Sequence, residues 1–249
     1  MGFLPNFDGP GPREDPPRKT GVFRLWEMLS RDFWDLFQAG LLALLGCVPF
    51  FLGVGYSMVT HTVLLAPLLG LAGGAAAGPF LCGLADTVLR GLRDEPGLWW
   101  LVYRRAWKRN VRSALLPGAL GGALLGTQVF LLANAGALRL GGVTMAALAA
   151  WILLALALSL YLWPLLALME LSFFQLVKNS ALLFLGRLPR SAAALAIVAG
   201  YLWLALRYLP LALPLLPLTN LWLPVFPALF LIYPNINETF QIEEKLGGN

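Results

Sequence analysis

Residues 89–112, LRGLRDEPGLWWLVYRRAWKRNVR, decide the fold of this chain because they separate two glycine-rich, uncharged hydrophobic runs. The stretch holds seven of the eighteen basic residues and three of the nine tryptophans. Lysine, arginine and tryptophan side chains favour the headgroup level of a bilayer, where anionic lipid attracts the cations. The pattern therefore predicts a cytoplasmic loop that lies on the lipid surface between two membrane-spanning helices.

The composition indicates an integral membrane protein. Of the 249 residues, 59% are hydrophobic and 12% are charged, whereas soluble domains carry about 25% charged residues. The net charge is +5, and the basic residues cluster beside hydrophobic runs. This position favours contact with anionic inner-leaflet lipids over contact with nucleic acid. Cys47 and Cys82 both lie inside apolar runs, which is typical of packing residues rather than of a disulfide or a metal site.

Uncharged runs long enough to cross a bilayer recur along the chain. Crossing about 30 Å of hydrocarbon takes roughly 20 apolar residues of helix. The sequence predicts an all-α polytopic membrane helix bundle, in which residues 1–20 form an extended cytosolic tail and residues 21–249 a single transmembrane bundle. The six predicted spans lie near residues 36–60, 62–88, 113–136, 143–169, 190–209 and 215–235.

The last predicted span is rich in proline, with six prolines between residues 208 and 237. Proline removes a backbone donor and kinks a helix, so we expect a short irregular connection over 210–220 and a kinked span near 221–235. Two interpretations stay open. The segment is either a kinked helix that only packs against its neighbours, or a broken helix that lines a cavity, as in transporters.

The distribution of basic residues predicts the orientation. With six spans and both termini inside, sixteen basic residues lie on the inner side and only Arg139 and Arg207 lie outside. The positive-inside rule decides orientation from this bias in short loops. We therefore expect a multi-pass protein of the plasma membrane whose N- and C-termini are cytoplasmic.

Three segments are predicted to form amphipathic helices at the inner interface: residues 21–35, 97–110 and 170–187. Their simplest use is to anchor the protein to anionic lipid, and a docking surface for a partner protein is the alternative. In the second segment, aromatic residues at helical spacing share one face. The predicted lipid-interface residues are Trp99, Trp100, Tyr103, Arg104, Arg105, Trp107, Lys108 and Arg109.

Glycines recur every four residues in the second and third predicted spans. Small residues at this spacing let helix backbones approach closely in lipid. Because the basic stretch joins the two spans, they are antiparallel, and packing between them is the simplest use of the glycines. A homodimer face is the alternative. The predicted helix-packing residues are Gly70, Gly74, Gly78, Gly118, Gly122 and Gly126.

Ionisable residues near the membrane are candidates for function. Asp86 and Glu170 lie near the predicted inner ends of spans two and four, and Asp86 and Arg90 form an i, i+4 pair. The alternatives are an interfacial salt-bridge cluster and a cytoplasm-facing polar pocket. The candidate cluster comprises Asp86, Arg90, Arg93, Glu170, Lys178 and Asn179, and a predicted turn at 234–240 can add Asn235, Asn237 and Glu238.

The sequence gives little support for an enzyme. The single histidine, His61, falls in a short predicted outer loop, away from any acid that would orient it. Metal-ligand spacings, a nucleophile elbow and a phosphate-binding loop are absent from the sequence. We therefore predict no catalytic residues, no metal site and no cofactor.

Three stretches carry a family resemblance: GPGPREDPPRKTGVFRLWEMLSRDFW at 9–34, GPFLCGLADTVLRGLRDEPGLWWLVYRRAWKRN at 78–110, and YLWPLLALMELSFFQLVKNSALLFLGRLPR at 161–190. With them the chain resembles the YesL-like family of bacterial membrane proteins of unknown function. The resemblance implies a small polytopic protein of the bacterial inner membrane. It also implies an association with carbohydrate uptake, in particular with sugar ABC transporters.

Two functions follow as expectations. The first is a non-enzymatic accessory or scaffold protein beside a solute-uptake complex, which the resemblance and the interface helices favour. The second is a small transporter or a lipid- or solute-binding membrane protein with a cytoplasm-facing polar pocket. The broken last span and the acids Asp86 and Glu170 favour the second.

Overall fold

The computed structural model describes the backbone of residues 21–247 and side chains through residue 244, so the predicted cytosolic tail at 1–20 lies outside the described residues. All regular structure over this range is helical. The helices are α1 (Gly21–Val59), α2 (Leu65–Arg93), α3 (Trp99–Ala133), α4 (Gly142–Leu168), α5 (Phe173–Gly186), α6 (Leu188–Arg207), α7 (Leu209–Thr219), α8 (Trp222–Phe240) and α9 (Ile242–Gly247).

Five helices, α1, α2, α3, α4 and α6, are long and apolar enough to cross a membrane. The pair α7–α8 qualifies as a sixth span when it is taken together, with a bend of 66° at its break. The chain is therefore a multi-pass membrane protein built as a helix bundle, which confirms the predicted fold class.

The proline-rich segment departs from the prediction in two places. Residues 209–219, expected to be irregular over most of their length, form the short helix α7, and residues 234–240, expected to be a turn, belong to α8. Asn220 breaks the two helices with a backbone conformation of φ 7° and ψ −159°. Its buried side chain fills the break by bonding to Phe37 of α1, so packing rather than an open cavity occupies this position.

The first two predicted interface helices do not exist as separate elements. Residues 21–35 are the first part of the 39-residue α1, and residues 99–110 begin the 35-residue α3. At 1.5 Å per residue, α1 and α3 are about 58 Å and 52 Å long, roughly 20–30 Å more than the hydrocarbon core. Neither glycine nor proline interrupts residues 30–38 or 106–116, so the backbone hydrogen bonds continue unbroken from the charged part into the span.

The basic stretch at 89–112 is consequently mostly helical. Helix α2 continues to Arg93, and only residues 94–98 form a loop before α3 begins. Asp94 makes this short connection in the left-handed conformation (φ 58°, ψ 32°), and its N–H donates to carbonyls of the last turn of α2. Because charged side chains are costly in hydrocarbon, we place the charged ends of these helices outside it. We call this part of the protein the polar platform; it comprises residues 21–35, 86–93, 94–98 and 99–112.

The predicted glycine packing between α2 and α3 is confirmed. All six predicted glycines are buried within the chain, and the glycines of α2 have the same four-residue spacing as those of α3. A methyl group added at Gly74 would lie 2.6 Å from the Gly122 Cα atom, so the two backbones are in direct contact. These glycines are already covered within one chain, and their alternative use as a homodimer face is therefore wrong.

Candidate binding cleft on the polar platform

The polar platform contains a cleft of about 290 Å³ between α1, α2 and the start of α3. Charged side chains from α1, α2 and the 94–98 loop line it, together with two aromatic rings from α3. The lining residues are Arg31, Asp32, Asp35, Asp86, Thr87, Arg90, Gly91, Asp94, Glu95, Pro96, Gly97, Trp99, Val102 and Tyr103.

Two members of the predicted polar cluster, Asp86 and Arg90, line this cleft, and a third, Arg93, is linked to it through Glu95. Asp86 is only 3% exposed, and its carboxylate accepts a hydrogen bond from Arg90 Nε at 2.7 Å. Arg90 and Arg93 also both donate to Glu95, at 3.0 Å and 2.6 Å. Glu95 joins them because the short loop folds back onto the last turn of α2, and sequence spacing alone gave no sign of this contact.

The other half of the predicted cluster lies elsewhere. Glu170 and Lys178 are exposed and Asn179 is half-buried, and none of the three bonds to Asp86, Arg90 or Arg93 among the described residues. Helix α4 ends at Leu168, before Glu170, and the Ala167 carbonyl at that end accepts a hydrogen bond from Arg109 at 3.1 Å. The prediction that Glu170, Lys178 and Asn179 share one site with Asp86 is therefore wrong.

A second set of ion pairs ties α1 to the loop. Asp94 pairs with Arg24 at 2.5 Å and also with Arg31, which in addition donates to the Gly91 carbonyl at 2.9 Å. Burial raises the pKa of Asp94, but the hydrogen bonds from Arg31 and Arg24 outweigh it and leave the pKa below its ordinary value. The sequence prediction missed these pairs, because their members lie more than sixty positions apart.

Tyr103 is in the core instead of at the lipid surface, where it was predicted. It is 4% exposed, and its ring packs against Gly83 of α2, where an added Cβ atom would lie 2.7 Å from the ring. The absence of a side chain at Gly83 creates the space for the ring. The Tyr103 hydroxyl and the Trp99 indole N–H are both buried and have no hydrogen-bond partner among the described residues.

The remaining predicted interface residues divide between core and surface. Trp99 and Trp107 are half-buried and pack against the hydrophobic core, which corrects their assignment to lipid alone. Trp100 is 53% exposed, as a lipid-facing ring would be. The cations of this set are exposed: Arg104, Arg105, Lys108 and Arg109.

A second polar network lies apart from the cleft and links α4, α6 and α8. The Tyr161 hydroxyl bonds to Ser191 at 2.7 Å and accepts a hydrogen bond from the Asn235 amide at 3.0 Å. Asn235 was expected to add to the cluster around Asp86, but the structure places it here. Nearby, Glu238 pairs with Arg187.

Asn237, which was also expected to add to the cluster around Asp86, lies away from the cleft. Its side-chain oxygen accepts a hydrogen bond from the Glu243 N–H at 3.0 Å, in the first turn of α9. Tyr161 and Ser191 were not predicted at all. Their only sequence signal is a polar side chain inside an apolar helix, and thirty positions separate them.

Comparisons of the chain with protein-family models, with curated proteins and with solved structures found no match.

Proposed function

We propose that the protein is a non-enzymatic accessory subunit beside a solute-uptake complex in the bacterial inner membrane, with both termini in the cytoplasm. The continuation of α1 and α3 beyond the length of a span is the observation that carries this proposal. It gives a small membrane protein a rigid folded surface outside the bilayer, where another subunit can bind. The resemblance to the YesL-like family supports carbohydrate as the transported solute.

Exposed cations on the platform support the orientation and the contact with anionic lipid. Arg104, Lys108 and Arg112 are all exposed and are spaced by four residues, so they form one row along α3. Each basic residue near an anionic inner leaflet gains about 1 kcal/mol. This row therefore favours a cytoplasmic platform held close to the headgroups.

Purification from native membranes in a mild detergent tests the accessory role. We expect components of a transport complex to copurify with the wild-type chain. Trp26, which is 68% exposed on the platform, is replaced by alanine, and Trp203, which is 63% exposed on α6, serves as the matched control. Copurification should be reduced by Trp26→Ala and unchanged by Trp203→Ala. A wild-type chain that purifies alone, or equal losses in the two variants, contradicts the proposal.

The cleft favours a second candidate function, a solute-binding membrane protein. Its volume of about 290 Å³ is close to the lower limit for ligand pockets, roughly 300 Å³, and it combines charged groups with aromatic rings. Thermal unfolding of the purified chain with amines, sugars and organic anions tests this function. If compounds of all three classes leave the unfolding temperature unchanged, the second function is excluded.

A further inference from the structure

We propose that the cleft on the polar platform binds a primary ammonium group, an inference that rests on the second function above. The first argument is the charge of the lining, since five carboxylates and two guanidinium groups border the cleft. Two further cations, Arg24 and Arg93, pair with two of these acids. Among the described residues of the cleft and these two partners, negative charge therefore exceeds positive charge by one.

Asp35 is the acid that accounts for the excess. Each of the other four lining carboxylates, at Asp32, Asp86, Asp94 and Glu95, is paired with at least one arginine. Asp35 is only partly exposed, yet none of the described residues forms a hydrogen bond to it. A partly buried carboxylate without a cation is stabilised by binding one.

Tyr103 is the independent observation that indicates a ligand. It lines the same cleft, its side chain is almost fully buried, and its hydroxyl has no partner among the described residues. A buried hydroxyl without a hydrogen bond is unfavourable, and a ligand with an N–H donor would supply a bond to its oxygen. Tyr103 and Asp35 thus both border the cleft with an acceptor that lacks a partner among the described residues.

The aromatic rings of the lining favour an organic cation over a metal ion. Trp99 and Tyr103 have ring centroids 5.2 Å apart and both border the cleft. Aromatic faces attract ammonium groups through their quadrupole. Calcium and magnesium instead require several oxygen ligands around one point, and the described part of the chain has no group of three or more acidic, histidine or cysteine side chains arranged to hold a metal.

Two sources can supply this chemistry: a water-soluble amine, or the ethanolamine headgroup of a phospholipid beside the platform. The test measures the unfolding temperature of the purified full chain in ethanolamine hydrochloride and in choline chloride at equal concentration. Choline has the same charge, but its trimethylated nitrogen has no N–H to donate. We expect a rise that saturates with ethanolamine and is smaller or absent with choline.

Three variants locate the effect. Asp35→Asn removes the unpaired charge at constant shape, and Tyr103→Phe removes only the hydroxyl; both should reduce or abolish the rise in ethanolamine. Glu170→Gln removes the same charge from an exposed site outside the cleft and should retain the full rise. An equal rise with choline, or a full rise in both cleft variants, overturns the proposal. Tyr103→Phe provides the test if Asp35→Asn does not fold.

Nanodiscs distinguish the two sources. A higher unfolding temperature in phosphatidylethanolamine than in phosphatidylcholine, which Asp35→Asn removes, assigns the site to the lipid headgroup. A response to free ethanolamine alone assigns it to a soluble amine, and both results support the ammonium site. If neither ethanolamine nor phosphatidylethanolamine stabilises the wild type, the inference fails. The solute-binding function still stands in that case if a sugar or an anion raises the unfolding temperature.

Discussion

The α2–α3 interface and the interface of α6 and α8 with α4 hold their helices together by different means. Between α2 and α3 the backbones touch, because glycines face each other along the contact. Between α4, α6 and α8 the contacts include hydrogen-bonded side chains, centred on Tyr161, Ser191 and Asn235. In the most apolar stretch of α2, 56% of the residues are buried, compared with 11% in α4 and in α6.

This difference shows two solutions to one problem. Apolar side chains in lipid gain little by leaving it, so helices associate through close packing or through polar contacts. Backbone contact between glycines places many atoms in van der Waals range but leaves no room for one more carbon. Hydrogen-bonded side chains tolerate a wider separation, and each contributes a limited amount. The two interfaces should therefore respond to mutation very differently.

The largest effect is expected where the glycine interface is broken. In Gly122→Ala the new methyl carbon would lie 2.6 Å from the Gly74 Cα atom, and the atoms it meets belong to the backbone and cannot turn aside. We expect a loss of about 3 kcal/mol of stability, because overpacking against fixed atoms forces the helices apart. The measurement is thermal unfolding of the purified protein in detergent.

The neighbouring glycine provides the control for this prediction. A methyl group at Gly121 would meet nothing within 4 Å. Because alanine is favoured over glycine in a helix by about 1 kcal/mol, Gly121→Ala should leave stability unchanged or raise it. Similar losses in the two variants would show that the α2–α3 contact does not depend on backbone approach.

The next effect concerns the break between α7 and α8. The Asn220 side chain donates to the Phe37 carbonyl at 3.3 Å and accepts from the Trp222 N–H at 3.0 Å. Asn220→Ala leaves these buried groups unsatisfied, so we expect a loss of about 2 kcal/mol. In the control Asn134→Ala, the lost bond reaches only the Phe130 carbonyl one turn away, and its cost should be clearly smaller. Equal costs in thermal unfolding would contradict the role of Asn220 in joining α1 to α8.

The hydrogen-bonded interface is tested by Tyr161→Phe. The variant removes the hydroxyl that joins Ser191 of α6 to Asn235 of α8 and keeps the ring. Hydrogen bonds between membrane helices contribute about 0.6 kcal/mol on average, so the two bonds together should be worth roughly 1 kcal/mol. Tyr208→Phe is the control, since Tyr208 is 52% exposed and packs by its ring beside Arg207. A loss as large as that of Gly122→Ala would remove the distinction between the two interfaces.

The smallest effect is expected on the platform and depends on pH. Because the folded-state pKa of Asp94 is lowered, its contribution to stability is present above the ordinary aspartate value of about 3.9 and is lost as the pH falls through the folded pKa. Asp94→Asn should therefore lower the unfolding temperature at neutral pH, by an amount that corresponds to a loss of less than about 1 kcal/mol of stability. The difference between the variant and the wild type should shrink in acid.

Glu170→Gln is the matched control for Asp94, because it removes the same charge from an exposed residue without an ion pair among the described residues. It should leave the unfolding temperature unchanged at neutral pH. A constant difference between the wild type and Asp94→Asn across the acidic range would show that the ion pairs with Arg24 and Arg31 contribute nothing to stability.

Local patterns predicted much of the fold. The hydrophobic runs predicted the first four spans to within a few residues at most ends, and the glycine spacing predicted the α2–α3 contact. Both signals depend on neighbours three or four positions away on one helix, which periodicity reveals directly. The pair Asp86–Arg90 was predictable for the same reason, as an i, i+4 contact.

Other parts of the candidate site had no local signal. Charge and aromatic content made 21–35 and 97–110 resemble helices on the membrane surface, but helix continuity placed them along the axes of α1 and α3. Tyr103 is an amphipathic aromatic residue of the kind found at membrane interfaces, and it is buried because Gly83 lies opposite its ring. Asp94 and Asn235 found partners at long sequence separation, and such partners cannot be inferred without the packing of the helices.

The sequence by itself determined that this chain is a membrane protein with several helical spans, because burial in lipid depends on the apolar content of each segment and its length. Tertiary structure decided which acids meet which arginines, which aromatic ring enters the core, and where a cleft remains between α1, α2 and α3. The physical reason is distance: hydropathy acts within one segment, whereas ion pairs and close contacts join atoms that only the packed helices bring within a few ångströms.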